Sequence, residues 1–261
     1  KEWNLGVDYS FFEGRLYGKF DYYRREVDNL LFSVKVPQPP YTQGSQMQNI
    51  GSMESKGWEF EVGGDIIRTK DFTWSSSMNL SHNTGKILTL EGDNSYHNGN
   101  GFVAPGTPGD AARMEAGSTI GSFYMWKFAG FDDEGSFLLY NKDGEVIPAA
   151  QKTENDKQYI GNYTPKLIIG WSHTLTYKNF DLGINLRSWI DFDVYNTINM
   201  YYGIQGQGNL NVLKDAYGKF NHIKGEKQIC DYFLEDGTFL KIDAITLGYT
   251  LPMKMYTNNL I

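Results

Sequence analysis

WNLGVDYSFFEGRLYGKFDYY, residues 3–23, is a hairpin written in period two. Trp3, Leu5, Val7, Tyr9 and Phe11 fall on one face of an extended chain, and Asn4, Gly6, Asp8 and Ser10 fall on the other. Glu13-Gly14 supplies a tight turn. The return strand keeps the rule, with Leu16, Gly18, Phe20 and Tyr22 apolar against Lys19 and Asp21. Alone, this pattern means only a half-buried sheet.

The pattern recurs. Trp58, Phe60, Val62, Gly64 and Ile66 alternate with Glu59, Glu61 and Asp65. After a turn at Thr69-Lys70-Asp71, Phe72, Trp74, Met78 and Leu80 alternate with Thr73, Ser75, Ser77, Asn79 and Ser81. Leu167, Ile169, Trp171, Leu175 and Tyr177 share a face, interrupted only by His173, to which no role is assigned. Lys178-Asn179 turns the chain into Phe180, Leu182, Ile184, Leu186 and Ile190, opposite Asp181, Asn185, Arg187 and Asp191. A last strand runs from about Phe239 to Leu251 and stops at Pro252.

The connections alternate in length. Those near Glu13, Lys70 and Asn179 are very short, and those spanning about Ser33–Ser55, Thr84–Tyr163 and Asp193–Asp236 are long. Outer-membrane barrels have short periplasmic turns and long extracellular loops. Long structureless loops are uncommon in compact soluble domains. Several strands pass ten residues, beyond the usual ~5–6 of soluble sheets and close to the ~9–11 that span a bilayer. The expected fold is therefore all-β, an antiparallel transmembrane β-barrel segment with long extracellular loops.

Composition agrees. Hydrophobic residues make up 40% of the 261, and mean hydropathy is −0.47, as expected when only alternate residues meet lipid. No run approaches the ~20 apolar residues of a membrane helix. Aromatics reach 15%, with 18 Tyr and 6 Trp, which suits interfacial girdles as well as a β-rich core. Net charge is −7 without a basic stripe, so nucleic acid is not an expected partner. Cys230 stands alone, which excludes a disulfide framework and a thiolate metal site.

Two segments between the strands, Ser122–Phe131 and Phe137–Ile147, are also strand-like. Either both or neither belong to the barrel wall, because one alone would put the later short turns on the wrong side. A hairpin built into an extracellular loop is expected, with Asp132-Asp133-Glu134-Gly135 at its tip.

Catalytic signatures are missing. His82, His97, His173 and His222 are scattered, no G-x-S-x-G elbow occurs, and Gly206-Gln207-Gly208 is too short for a phosphate loop. Asp191/Asp193 and Glu235/Asp236 read as solvated acids rather than a glycosidase pair. Asn141-Lys142-Asp143-Gly144 fits the middle of a calcium loop, but Leu139 occupies the first ligand position, so a turn is the reading. No enzyme activity, cofactor or metal is expected.

Five segments together resemble the SusC/RagA family of TonB-dependent outer-membrane transporters of Bacteroidetes-type bacteria. They are GVDYSFFEGRLYGKFDYYRREVDN (residues 6–29), NIGSMESKGWEFEV (49–62), IGSFYMWKFAG (120–130), IGNYTPKLIIGW (160–171) and DGTFLKIDAITLGYTLP (236–252). They fall in the order expected for the carboxy-terminal half of such a barrel and cover most of the chain except its loops. The resemblance implies a plugged barrel of about 22 strands in the outer membrane. It implies a SusD-like surface lipoprotein partner, oligosaccharide or peptide substrates, and energy relayed by the TonB complex. Roughly seven or eight wall strands are counted in residues 1–261, with no plug, no TonB-contacting segment and no terminal aromatic after Asn259-Leu260-Ile261. The chain is therefore expected to be part of one larger barrel domain.

Substrate contacts are expected near the outer mouth. Tyr195, Asn196, Tyr201 and Tyr202 are the candidates, since aromatics stack on sugars and amides bond hydroxyls. The competing reading is a soluble β-sandwich, a carbohydrate-binding or adhesin module, which would bury its apolar face against a second sheet.

Overall fold

The computed structural model describes residues 1–90, 96–98, 111–205 and 211–251. Pro252, the terminal Asn259-Leu260-Ile261 and Gly206-Gln207-Gly208 lie outside the described residues. Seven antiparallel strands form one sheet in chain order. They are β1 (Glu2–Phe11), β2 (Leu16–Lys35), β3 (Ser45–Arg68), β4 (Phe72–Leu90), β5 (Leu167–Tyr177), β6 (Phe180–Ile190) and β7 (Phe239–Tyr249). Each strand pairs with its sequence neighbour, and the sheet is open at β1 and β7.

The register carries one apolar face across the wall. Val7 lies opposite Phe20, Phe20 opposite Phe60, Phe60 opposite Leu80 and Leu80 opposite Ile169. Further along, Leu175 pairs with Leu182 and Leu182 with Leu247. Residues paired in this way share a face. Among the described residues no second sheet covers it: Leu5 is 62% exposed, Ile245 65% and Leu247 74%. A sandwich would bury these side chains, so the sandwich does not form.

Side-chain chemistry marks both edges of the apolar band. At the short-turn end stand Phe11, Phe72, Tyr177, Phe180 and Tyr249, with the rings of Phe180 and Tyr249 4.6 Å apart. At the other end Trp3 and Tyr22 approach to 5.4 Å, and Trp58 lies opposite Tyr22. Beyond them the same face turns ionic. Arg24 contacts Glu54 at 2.6 Å and Glu26 at 2.8 Å, and Lys56 reaches Glu54 at 3.8 Å. Along β4, Phe72 to His82 covers ~33 Å, or about 25 Å of height at a barrel strand's tilt, which matches the hydrocarbon band of outer-membrane barrels.

Glycines let large side chains lie flat on the sheet. Tyr9 faces Gly18, Tyr17 faces Gly63 and Tyr23 faces Gly57 across strand pairs. A Cβ on Gly63 would come within 2.6 Å of the Tyr17 ring. The hairpin turn after β1 uses left-handed backbone at Phe12, Glu13 and Gly14, with φ of 56, 56 and 84°. That handedness matches the twist of the flanking strands.

One expected loop is corrected. The connection placed at Ser33–Ser55 is mostly strand, because β2 continues to Lys35 and β3 begins at Ser45. A register shift between Val27 and Leu31, with Asn29 at φ 57°, breaks the period-two phase and hides the continuation. β2, β3 and β4, at 20, 24 and 19 residues, therefore rise past the apolar band.

Candidate functional site

The two long connections after β4 and β6 are not structureless. Together they build a compact body whose core is Phe123, Met125, Phe137, Leu139, Met200, Ile223, Cys230 and Phe233, all buried. The wall's large apolar side chains are mostly exposed or half-buried, so this body holds most of the buried apolar core among the described residues. Its two halves are stitched directly. Trp126 bridges to Cys230 in parallel, the Phe128 N–H donates to Asp231 Oδ1 at 2.6 Å, and Phe128, Phe131 and Phe137 pack on Tyr232.

The strand-like segments behave as the parity argument requires: neither joins the wall. Lys127–Phe131 and Phe137–Tyr140 pair as a hairpin within the body, closed at Asp132 to Gly135. Asp132 Oδ1 accepts from the N–H groups of Glu134 (3.0 Å) and Ser136 (2.7 Å). Asn141 repeats the device, accepting from Asp143 at 3.0 Å and Glu145 at 2.8 Å, and closes Phe137–Tyr140 onto Val146–Pro148. Segment 141–144 is thus a turn, as read from the sequence.

Several acids of the body have structural work. Asp156 accepts from the Lys142 N–H at 3.0 Å and from the Thr153 N–H and hydroxyl, both at 2.7 Å. The Thr153 hydroxyl, then the Lys142 N–H, hold its carboxyl below the ordinary carboxylate range. Burial pushes Asp231 up, opposed by the Phe128 N–H. Asp193 accepts from the Asn162 N–H (2.8 Å), Asp191 pairs with Lys166 (2.6 Å), and Asp236 accepts from the Thr238 N–H (2.8 Å). These partners account for the acid pairs that sequence could have read as a carboxylate couple. Cys230 is 0% exposed, and burial pushes its thiol up to about 12.

The four candidate residues divide in two. Tyr195 is only 7% exposed, packed against Phe123 and Phe233 in the core, and burial raises its phenol. Asn196 caps the helix Thr197–Tyr202 by accepting from the Asn199 N–H (2.8 Å) and donates to Glu235 Oε1 (2.9 Å). Asn196 thus holds the start of the helix, and Tyr195 belongs to the core beside it. Tyr201 and Tyr202 are partly exposed, their rings 5.1 Å apart and edge-on, with the Lys227 ammonium 3.4 Å from the Tyr201 ring centroid.

Sequence reasoning missed a second feature at the rim. A pocket of about 400 Å³ opens where wall meets body, lined by Ser55, Asn83 and Thr84 from β3 and β4 and by Thr119, Asn162 and Thr164. Asn162 organises it, donating to Ile120 O (3.3 Å) and Ser122 Oγ (3.2 Å) and accepting from the Thr164 N–H (2.7 Å). β4 binds the body here through Ile87 N–H to Ser118 O (3.0 Å) and Ile120 N–H to Gly85 O (2.9 Å). Hydroxyls and amides hydrogen-bond neutral polar ligands, and here they share the lining with Met53, Ile120, Pro165, His82 and Lys166. Among the described residues no three His, Cys, Asp or Glu side chains gather as a metal site.

Comparison with known proteins fits this geometry. Residues 1–196 match the family described as TonB dependent receptor-like, beta-barrel. The chain is 31% identical to TonB-dependent receptor SusC of Bacteroides thetaiotaomicron over 95% of its length, which is 25% of that protein. It is 30% identical to TonB-dependent receptor P3 of Formosa agariphila, over 97% of this chain and 27% of that protein. Its fold superposes on the structure of the RagAB peptide transporter with a TM-score of 0.79 and 24% identity, covering 99% of this chain and 30% of that one. The chain spans about a quarter of the length of the curated relatives it matches. It belongs to the TonB-dependent receptor β-barrel family.

Proposed function

We propose that this chain forms part of the wall and outer mouth of an outer-membrane importer that takes up oligosaccharides or peptides by TonB-dependent transport. The observation that carries the reading is the seven-strand register, with one uncovered apolar face and a packed body at one end only. Unpaired edges at β1 and β7 are costly in lipid, which supports further strands completing the wall. An amino-terminal plug, contact with the TonB complex and a SusD-like lipoprotein over the mouth belong to the same proposal, supported by the similarity to SusC and to the RagAB transporter.

In this reading Tyr201 and Tyr202 are stacking contacts for substrate, while Asn196 holds the start of their helix and Tyr195 belongs to the core beside it. The test uses the full-length receptor in cells, with labelled oligosaccharide and peptide pools. The double replacement Tyr201→Ala and Tyr202→Ala is expected to weaken substrate binding roughly tenfold, at ~0.5–1.5 kcal/mol per lost aromatic contact. Unchanged binding by a folded variant removes the two tyrosines from the site. Uptake that persists after the proton gradient is collapsed removes TonB dependence.

A further inference from the structure

One edge of β4 has a vacant place in its ladder. The odd-numbered residues turn their backbone N–H and C=O toward β5: Asp71 O, just before the strand, accepts from the Lys178 N–H, and Gly85 O accepts from the Ile120 N–H. From Thr73 to Ser81 this edge is covered by β5, which pairs as far as Ile168 opposite Ser81. Past the gap the loop body takes over, with Ile87 donating to Ser118 O and accepting from the Gly117 N–H. Asn83 stands between the two. Lys166, the residue that would face it, is engaged elsewhere: its N–H donates to Ile190 O at 3.0 Å and its C=O accepts from the His82 ring. Among the described residues neither the N–H nor the C=O of Asn83 finds a partner on that edge.

We infer that the rim pocket binds substrate peptide in extended form, one residue taking the ladder place opposite Asn83. The pocket of about 400 Å³ lies at this gap, with Asn83, Thr84 and Gly85 on one side and Thr119 and Ile120 on the other. An extended residue offers its N–H and C=O side by side, and the matching pair on one residue of a peptide answers both, as a neighbouring strand does. A sugar hydroxyl carries no such pair at that spacing, and no Phe, Tyr or Trp lines the pocket to stack on a sugar ring. The lining has no carboxylate, and its one ammonium, on Lys166, is paired with Asp191 at 2.6 Å, which suits an uncharged main chain. Met53, Ile120 and Pro165 give small apolar side chains a place beside it.

The inference rests on the importer reading above, and its test separates the two. Purified full-length receptor in detergent is titrated calorimetrically with trialanine blocked at both ends, with its analogue carrying an ester in place of the central amide, and with cellotriose. The amide is expected to bind about tenfold more tightly than the ester, which faces the Asn83 carbonyl with an oxygen. Asn83→Pro removes the free N–H on an open edge, where a strand accepts proline, and is expected to weaken trialanine about tenfold. Asn83→Ala keeps both main-chain groups and is expected to weaken it less than about threefold. Should Asn83→Pro not fold, Ser55→Phe fills the pocket from β3 and is expected to weaken trialanine by at least the same factor. Equal binding of amide and ester, or equal binding of trialanine by the unaltered and altered receptors, overturns the inference. Cellotriose bound in place of the peptide and lost in Ser55→Phe makes this a sugar site and overturns it too. Uptake that needs no proton gradient, with peptide binding intact, overturns the importer reading instead and leaves the pocket standing.

Discussion

Asp156 joins two turns of the loop body through one carboxylate, and Asp231 anchors the two halves of that body to one another. Their shifts have opposite signs. Asp156, held below its ordinary value, contributes stability at neutral pH that is lost as pH falls through its lowered pKa. Asp231, pushed above its ordinary value, is less costly once protonated, so the body gains as pH falls through that raised pKa. Hydrogen-exchange protection of residues 141–157, taken relative to the intrinsic amide rate at each pH, should therefore rise slightly on mild acidification and then fall below the usual carboxylate range. Asp156→Asn should remove the acidic loss and cost about 1–3 kcal/mol at neutral pH, since it weakens charge-assisted acceptors for three donors. Cys230 allows a simpler test. With its thiol pushed up to about 12 and 0% exposed, it should ignore thiol reagents in the folded protein and react fully in denaturant. Rapid labelling of folded protein would mean that the body opens at its centre.

At the scale of elements, the two tip turns of the loop hairpins form a matched experiment. Gly135 and Gly144 both have φ of 83°, and an Asp or Asn three residues earlier binds the turn. Gly144 has open space around it, so Gly144→Ala should cost only about 1 kcal/mol of left-handed strain. A Cβ on Gly135 would strike the His222 carbonyl, where the second connection passes. Gly135→Ala should therefore loosen the Lys224 and Gly225 contacts as well, and limited proteolysis should cut that variant first near residue 224. Similar protection of both variants would refute this asymmetry. The wall strands were legible in the sequence because a two-sided environment imposes period two on every residue. Legibility failed at Val27–Leu31, where a bulge shifts the phase and a strand reads as loop. It failed throughout the loop body, whose core residues run from 111 to 233 without a period. Tyr195 illustrates this: sequence identifies it as an aromatic in a loop, but only distant partners such as Phe123 decide that it is buried. Asn162 was invisible for the same reason, since its ties to Ser122 and Asp193 span 40 and 31 residues.

For the whole molecule, the sheet has an apolar side turned outward and a polar side turned inward, the reverse of a soluble domain. Ile184 and Asn185 are neighbours on β6 and face opposite ways, Ile184 beside Ile245 and Asn185 beside Ser172. In the full-length receptor, Ile184→Arg should cost ~2–4 kcal/mol of folding in bilayers, and Asn185→Arg far less. Heat-modifiable mobility after reconstitution reads the difference, and equal tolerance of both would place the lipid on the wrong face. The large residues of the wall need lipid to be covered, whereas the loop body covers its own.

The bridge from Trp126 to Cys230 has a consequence for the strands between its two ends. The first half of the loop body, with Phe123, Met125 and Leu139, completes its core with Tyr195, Met200 and residues 220–233, all of which lie beyond β5 and β6 in the chain. Those two strands are therefore the span between the halves of one clasp, held at both ends by the same core, like a belt passed through its own buckle.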